Sequence, residues 1–92
     1  MSGADDRFQA LRERFLDRSA GDVETLKRER DPAALRLIVH RLAGAAGTFG
    51  YPDLSRDAGE IDDALVEGND VPEDALARLI AALEVLIETR DA

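Results

Sequence analysis

The sequence contains one histidine, His40, and no cysteine. A neutral imidazole is a nucleophile that needs no strong base, so a single exposed histidine can carry chemistry on a group that a partner brings to it. Zinc is usually held by several histidine or cysteine ligands, so we expect no such metal site. The lack of cysteine also excludes disulfides and favours an intracellular, cytoplasmic location.

The helix around His40 has clear start and stop signals. Asp31 and Pro32 predict its start, as a side-chain cap and a first-turn proline, and Gly50 predicts an end just after Phe49. A helix turns about 100° per residue, so His40 points directly away from one apolar stripe. We expect this stripe to enter the core through Leu35, Ile38, Leu42, Ala45, Ala46 and Phe49.

The outer face of this helix is nearly bare. The neighbours of His40 within two turns are Ala33, Arg36, Leu37, Ala43, Gly44 and Gly47. A glycine inside a helix costs about 0.5–1 kcal/mol relative to alanine, and nothing in the expected core requires Gly44 or Gly47. We interpret the bare surface as room for a partner that approaches the imidazole. A merely solvated histidine, with glycines that permit close helix packing, is the alternative.

Three further amphipathic helices must position this one. The first starts near Asp5 and either bends or breaks at residues 19–22 before it reaches Arg30. The third is expected from Pro52 to about residue 67, and the last from Pro72 to about residue 90. Short connections make neighbouring helices antiparallel. The predicted fold is therefore all-α, an up-down antiparallel four-helix bundle, with or without an extra short helix near residues 22–30.

Length and charge narrow the function further. Ninety-two residues support one domain, spanning 1–92, with little room for a deep cavity. The net charge is −8, and residues 51–92 carry twelve acidic and three basic groups. Such a surface repels nucleic acid and anionic lipid, so we expect neither as a partner. The longest apolar run, Leu79 to Leu83, is too short to span a bilayer, and no signal peptide is visible.

The stretch from His40 to Leu54 reads H-R-L-A-G-A-A-G-T-F-G-Y-P-D-L. It resembles the histidine-containing phosphotransfer (HPt) domain, whose pattern is H-x-L-K-G-[SA]-[SA] followed by G-x-x-x-L. The helix order and the chain length are similar as well. The matching positions are His40, Leu42, Gly44, Ala45, Ala46, Gly50 and Leu54.

The resemblance implies a cytoplasmic phosphorelay carrier in a two-component system, with no enzymatic activity of its own. His40 would accept a phosphoryl group from a receiver-domain aspartate, or from a histidine kinase or hybrid kinase, and pass it to another receiver aspartate. The sequence has no nucleotide-binding loop and no carboxylate cluster beside His40, so the receiver would supply Mg²⁺ and the acidic residues. We expect no cofactor in this chain.

The resemblance also assigns roles around the histidine. The docking surface would consist of Arg36, Leu37, Ala43, Gly44 and Gly47, with Gly44 leaving room for the receiver's loops. The family's usual lysine, three residues after the histidine, is Ala43 here. We expect Arg36, or less favourably Arg41, to supply the missing cation, because guanidinium binds phosphate oxygens well.

Two other interpretations stay open. Ala43 favours a docking or inhibitory module that binds kinase or receiver domains through the same surface without carrying phosphate. A kinase dimerisation domain is a weaker alternative, because no acidic residue follows His40 directly. We expect a monomer, because the four apolar stripes can bury one another within one chain.

Overall fold

A computed structural model describes residues 3–90, which form four α-helices and no strand within that range. The helices are α1 (Gly3–Arg28), α2 (Pro32–Thr48), α3 (Pro52–Val66) and α4 (Glu73–Thr89). Phe8, near the start of α1, contacts Phe49, the residue directly after α2, so these two helices run antiparallel. The predicted antiparallel four-helix bundle is confirmed.

The first helix continues through the stretch where the sequence left a bend or a break open. Ser19 is buried, and its hydroxyl donates to the carbonyl oxygen of Phe15 at 2.7 Å, so this polar group is satisfied within the helix. Val23 and Leu26, beyond Gly21, are buried in the core. Their packing outweighs the low helix propensity of the glycine, so no separate short helix forms near residues 22–30.

The ends of α2 follow the sequence signals. The Asp31 carboxylate accepts a hydrogen bond from the backbone N–H of Ala34 at 3.1 Å, and Pro32 occupies the first turn. Gly50 has a φ of 85°, the left-handed conformation that favours glycine after a helix. The last helix begins one residue later than predicted, because Pro72 has an extended backbone and precedes the first turn.

All four helices contribute side chains to one core. Helix α2 packs most extensively on α3, and α1 packs mainly on α4, whereas α1 and α2 touch at few points. The fully buried large side chains are Leu26, Leu35, Val39, Leu42, Ile61, Leu76, Leu79 and Leu83. The first helix is longer than the other three, and its Phe8 and Leu11 are about half exposed.

The buried face of α2 is rotated from the one that the sequence predicted. Val39 is fully buried, although it was not assigned to the stripe. Ile38, Ala45 and Phe49, which were assigned to it, are only half-buried. The centre of the buried face therefore lies about 130° from His40 rather than opposite to it. The reason is the close packing of α2 on α3, which covers one flank of α2 and places His40 at the edge of that contact.

Candidate functional site

His40 lies in the middle of α2, on a part of its surface that faces solvent. Its side chain is 75% exposed. The helix is fixed on both sides of it by the buried side chains of Val39 and Leu42. The backbone that carries the imidazole is thus held by the core, while the ring remains open to an approaching partner.

A carboxylate from the neighbouring helix contacts the ring. Asp62 of α3 places Oδ2 3.0 Å from Nδ1 of His40, and its side chain is only 14% exposed. An ionised carboxylate can only accept hydrogen bonds, so Nδ1 must carry the proton in this contact. Nε2 has no hydrogen-bond partner among residues 3–90, and it is therefore the nitrogen left for reaction. This contact of His40 with a single carboxylate from another helix was not predicted from the sequence.

Arg36 shares this carboxylate with the histidine. Arg36 lies one turn before His40 in α2, and its Nε donates a hydrogen bond to Asp62 Oδ1 at 3.3 Å. The two oxygens of Asp62 thus bind two different groups of α2. Arg36 lies on the expected side of His40, but it is already paired in the unphosphorylated protein.

Arg41 occupies a different side of α2. Its two terminal nitrogens donate to both carboxylate oxygens of Asp22 at 2.9 and 3.0 Å, and this pair links α2 to α1. Position 41 lies about 100° around the helix from His40. The structure therefore brings Arg36, and not Arg41, to the histidine.

The small residues after His40 fall into two environments. A side chain added at Gly44 would meet no atom within 4 Å, so this position faces open space. Ala43 and Gly47 lie along the contact between α2 and α3. The hydroxyl of Ser55 donates to the carbonyl oxygen of Ala43 at 2.7 Å, and a Cβ at Gly47 would lie 3.5 Å from the same hydroxyl. Ala43 is half-buried there, so it is not part of the fully open surface that the sequence predicted.

A shallow groove runs along α2 on the other side of the histidine. It has a volume of about 360 Å³ and is lined by Ala33, Arg36, Leu37 and His40. Leu37 is 76% exposed, more than the other exposed large apolar side chains of residues 3–90. Apolar side chains exposed beside a reactive group are typical of a surface that a protein partner covers.

Asp62 belongs to another helix, so the spacing of residues around His40 gave no sign of it. One signal was available in the hairpin of α2 and α3, which turns at Gly50. His40 lies ten residues before Gly50, and Asp62 lies twelve residues after it. Residues at similar distances from the turn of an antiparallel hairpin lie across from each other, but the side-chain direction depends on how each helix is rotated.

Comparison with known proteins identifies the class of this fold and site. The family model described as "Hpt domain" matches residues 10–90, which is most of the chain. The chain belongs to the Hpt domain family, whose role is histidine phosphotransfer in two-component phosphorelays and whose members are phosphocarriers. A search of curated proteins and a search of solved structures gave no significant match.

No helix between residues 3 and 90 is long and apolar enough to cross a membrane. The same residues contain no group of three or more histidine, cysteine or acidic side chains that could hold a metal ion. Asp62 beside His40 is a single carboxylate, and it is already engaged by two partners.

The open space at Gly44 gives a test of whether the fold requires this glycine. Gly44→Ala should raise the free energy of unfolding by about 0.5–1 kcal/mol, because alanine favours the helix and meets no obstacle. Gly50→Ala is the contrasting variant, and it should lower stability by about 1–2 kcal/mol because its φ is positive. Urea denaturation followed by circular dichroism measures both. Equal destabilisation by the two variants would show that Gly44 serves the fold.

Proposed function

We propose that His40 accepts a phosphoryl group on Nε2 from the phosphorylated aspartate of a receiver domain, or from a histidine kinase, and passes it to another receiver aspartate. The observation that carries this proposal is the state of the ring. The His40 side chain is three-quarters exposed, its Nδ1 is hydrogen-bonded to Asp62, and its Nε2 has no hydrogen-bond partner among residues 3–90. An exposed nucleophilic nitrogen on a rigid helix is what in-line attack on phosphorus needs.

In the forward step the lone pair of Nε2 attacks phosphorus. The nitrogen–phosphorus bond forms while the bond from phosphorus to the aspartyl oxygen breaks, and that oxygen keeps the electron pair as a carboxylate. Asp62 accepts the hydrogen bond from Nδ1 throughout, so the ring proton stays in place. The reverse sequence on a second receiver returns the imidazole to its original state.

The partner provides the rest of the catalytic apparatus in this proposal. Phosphoryl transfer depends on positioning and on charge stabilisation, commonly by Mg²⁺. We assign the Mg²⁺ and its acidic ligands to the receiver domain. The present chain supplies the nucleophile and a docking surface formed by Arg36, Leu37 and the open space at Gly44. It acts in this proposal as a cytoplasmic monomer.

The assignment of His40 is tested by labelling. Incubation with a phosphorylated receiver domain should label the wild-type protein, and the label should be lost in acid and kept in alkali, as expected of a phosphohistidine. His40→Gln should abolish labelling while the helical circular dichroism stays unchanged. Label that survives this substitution would contradict the proposal. A protein that binds receivers but never takes up label would support the docking or inhibitory module instead.

The docking role of the open surface is tested at Gly44. Gly44→Gln should slow transfer sharply, because the new side chain fills the space that the receiver's loops would occupy. The melting temperature should hold or rise slightly, since the position faces away from the core. Gly44→Ala is the control, because it changes the backbone preference with little added volume. A Gly44→Gln variant that transfers at the wild-type rate would refute the docking role.

The third test concerns the cation. We propose that Arg36 moves from Asp62 to the phosphoryl oxygens in the transfer complex. An exposed ion pair is worth at most about 1 kcal/mol, so exchange of partners is easy. The receiver would shield the new hydrogen bond from Arg36 to the phosphoryl oxygens, which would then stabilise the transfer complex by about 1.5–3 kcal/mol. Arg36→Ala should then slow transfer about ten- to hundred-fold, as that energy converts to a rate.

Arg41→Ala is the matched control for this variant, because Arg41 is paired with Asp22 on another side of α2. It should affect stability more than transfer. Ala43→Lys, which restores the family's usual residue, should recover part of the rate lost in Arg36→Ala. An unchanged rate in Arg36→Ala would mean that the cation comes from the partner.

A further inference from the structure

Asp62 contacts the nitrogen of His40 that would stay unphosphorylated if Nε2 carried the phosphoryl group. It is mostly buried between α2 and α3, and it binds Nδ1 of His40 through one oxygen and Nε of Arg36 through the other. Two charged side chains of the described residues therefore lie at the ring: Arg36 from α2 and Asp62 from α3.

The location of the ring proton decides how readily a phosphorylated imidazole gives up its phosphoryl group. When a neutral ring with a proton on Nδ1 is phosphorylated on Nε2, the ring itself becomes a cation. If the proton remains on Nδ1, cleavage of the nitrogen–phosphorus bond releases a neutral imidazole. If the proton is lost, the same cleavage must release an imidazolide anion, which is a far poorer leaving group.

Asp62 favours the first of these two states. A carboxylate that accepts a hydrogen bond from Nδ1 stabilises the cationic form of the ring, because a charge-assisted hydrogen bond is stronger than a neutral one. Its low exposure reduces the screening of this interaction by water. The hydrogen bond between Nδ1 and Asp62 therefore also favours the protonated ring after Nε2 is phosphorylated.

The other charges near the ring also favour its cationic form, with the proton kept on Nδ1. Before phosphorylation the charges of Asp62 and Arg36 cancel. The phosphoryl group adds further negative charge, close to −2 at neutral pH. Ala43 contributes no cation, and Arg41 is held by Asp22 on another side of the helix. The phosphoryl group therefore shares one cation, Arg36, with the carboxylate of Asp62.

We propose that Asp62 is a positioning residue that holds the proton on Nδ1 of phosphorylated His40 and so makes the phosphoryl group short-lived, suited to rapid onward transfer rather than to storage. Its biological use rests on the proposed function. Its chemistry does not, because it concerns the lifetime of a phosphorylated imidazole in this protein.

The lifetime is measured on chemically phosphorylated protein. Phosphoramidate phosphorylates exposed imidazoles without a partner protein, and ³¹P NMR follows the subsequent loss of phosphate. Asp62→Asn is the main variant, because its amide oxygen can still accept from Nδ1 but carries no charge. Asp63→Asn is the matched control, since it removes the same charge from the next residue, which is exposed. Asp62→Glu restores the charge.

We expect Asp62→Asn to lengthen the half-life of the phosphorylated protein about three- to ten-fold, the effect of one partly shielded charge-assisted hydrogen bond. Asp63→Asn should remain within about twofold of the wild type, and Asp62→Glu should keep a short half-life. At one pH, ¹⁵N NMR should report a more fully protonated Nδ1 in the phosphorylated wild type than in Asp62→Asn, a difference that a merely structural role would not produce.

Two results would overturn the inference. One is a half-life in Asp62→Asn that is equal to or shorter than that of the wild type. The other is an equal lengthening in Asp63→Asn, which would assign the effect to overall charge. Failure of every receiver to exchange phosphate with His40 would refute the proposed function and leave the half-lives unaffected. Normal transfer with equal half-lives would refute this inference alone.

Discussion

The close packing of α2 on α3 is the constraint on which the rest of the site depends. It is the most extensive helix contact of the bundle, and it is fixed by buried side chains on both helices, including Leu42 and Ile61. Because Gly50 ends α2 in the left-handed conformation, α3 can return at once along the same face. The packing rotates α2 so that His40 lies at the edge of the contact, where Asp62 can reach it.

This arrangement combines rigidity with access. Val39, immediately before His40 in the chain, is fully buried, whereas the histidine side chain is largely exposed. The core therefore fixes the backbone at the residue directly before His40. The ring itself is oriented by Asp62, so little conformational freedom has to be lost when a partner docks. If His40 acts as proposed, the bundle presents a defined nucleophile without enclosing it in a cavity.

Under the proposed function, the charges around the ring suit a carrier better than a storage site. A lysine at position 43 would add a cation, but alanine occupies this position and is half-buried in the seam between α2 and α3. The cation that remains, Arg36, is shared with a carboxylate. Membership of the Hpt family establishes the class of chemistry, while the identity of these few side chains would set how long the phosphoryl group stays.

Much of this protein could be predicted from local sequence signals. Asp31, Pro32 and Gly50 defined the ends of the central helix, because caps, first-turn prolines and left-handed glycines act within a few residues. The periodicity of apolar residues predicted the bundle, and the motif beginning at His40 predicted the family. The outward direction of His40 and the open space at Gly44 also follow from helical geometry alone, since both lie on the face away from the apolar stripe.

The tertiary structure decided what depends on the rotation and packing of whole helices. Val39 became a core residue, and Ala43 became part of a helix contact, because α3 covers one flank of α2. The helix α1 stayed continuous past Gly21 because Val23 and Leu26 are buried against the other helices. The partners of Arg36, His40 and Arg41 all lie on other helices, at Asp62 and Asp22. Such contacts depend on the relative rotation of two packed helices, and the spacing of residues within either helix does not specify it.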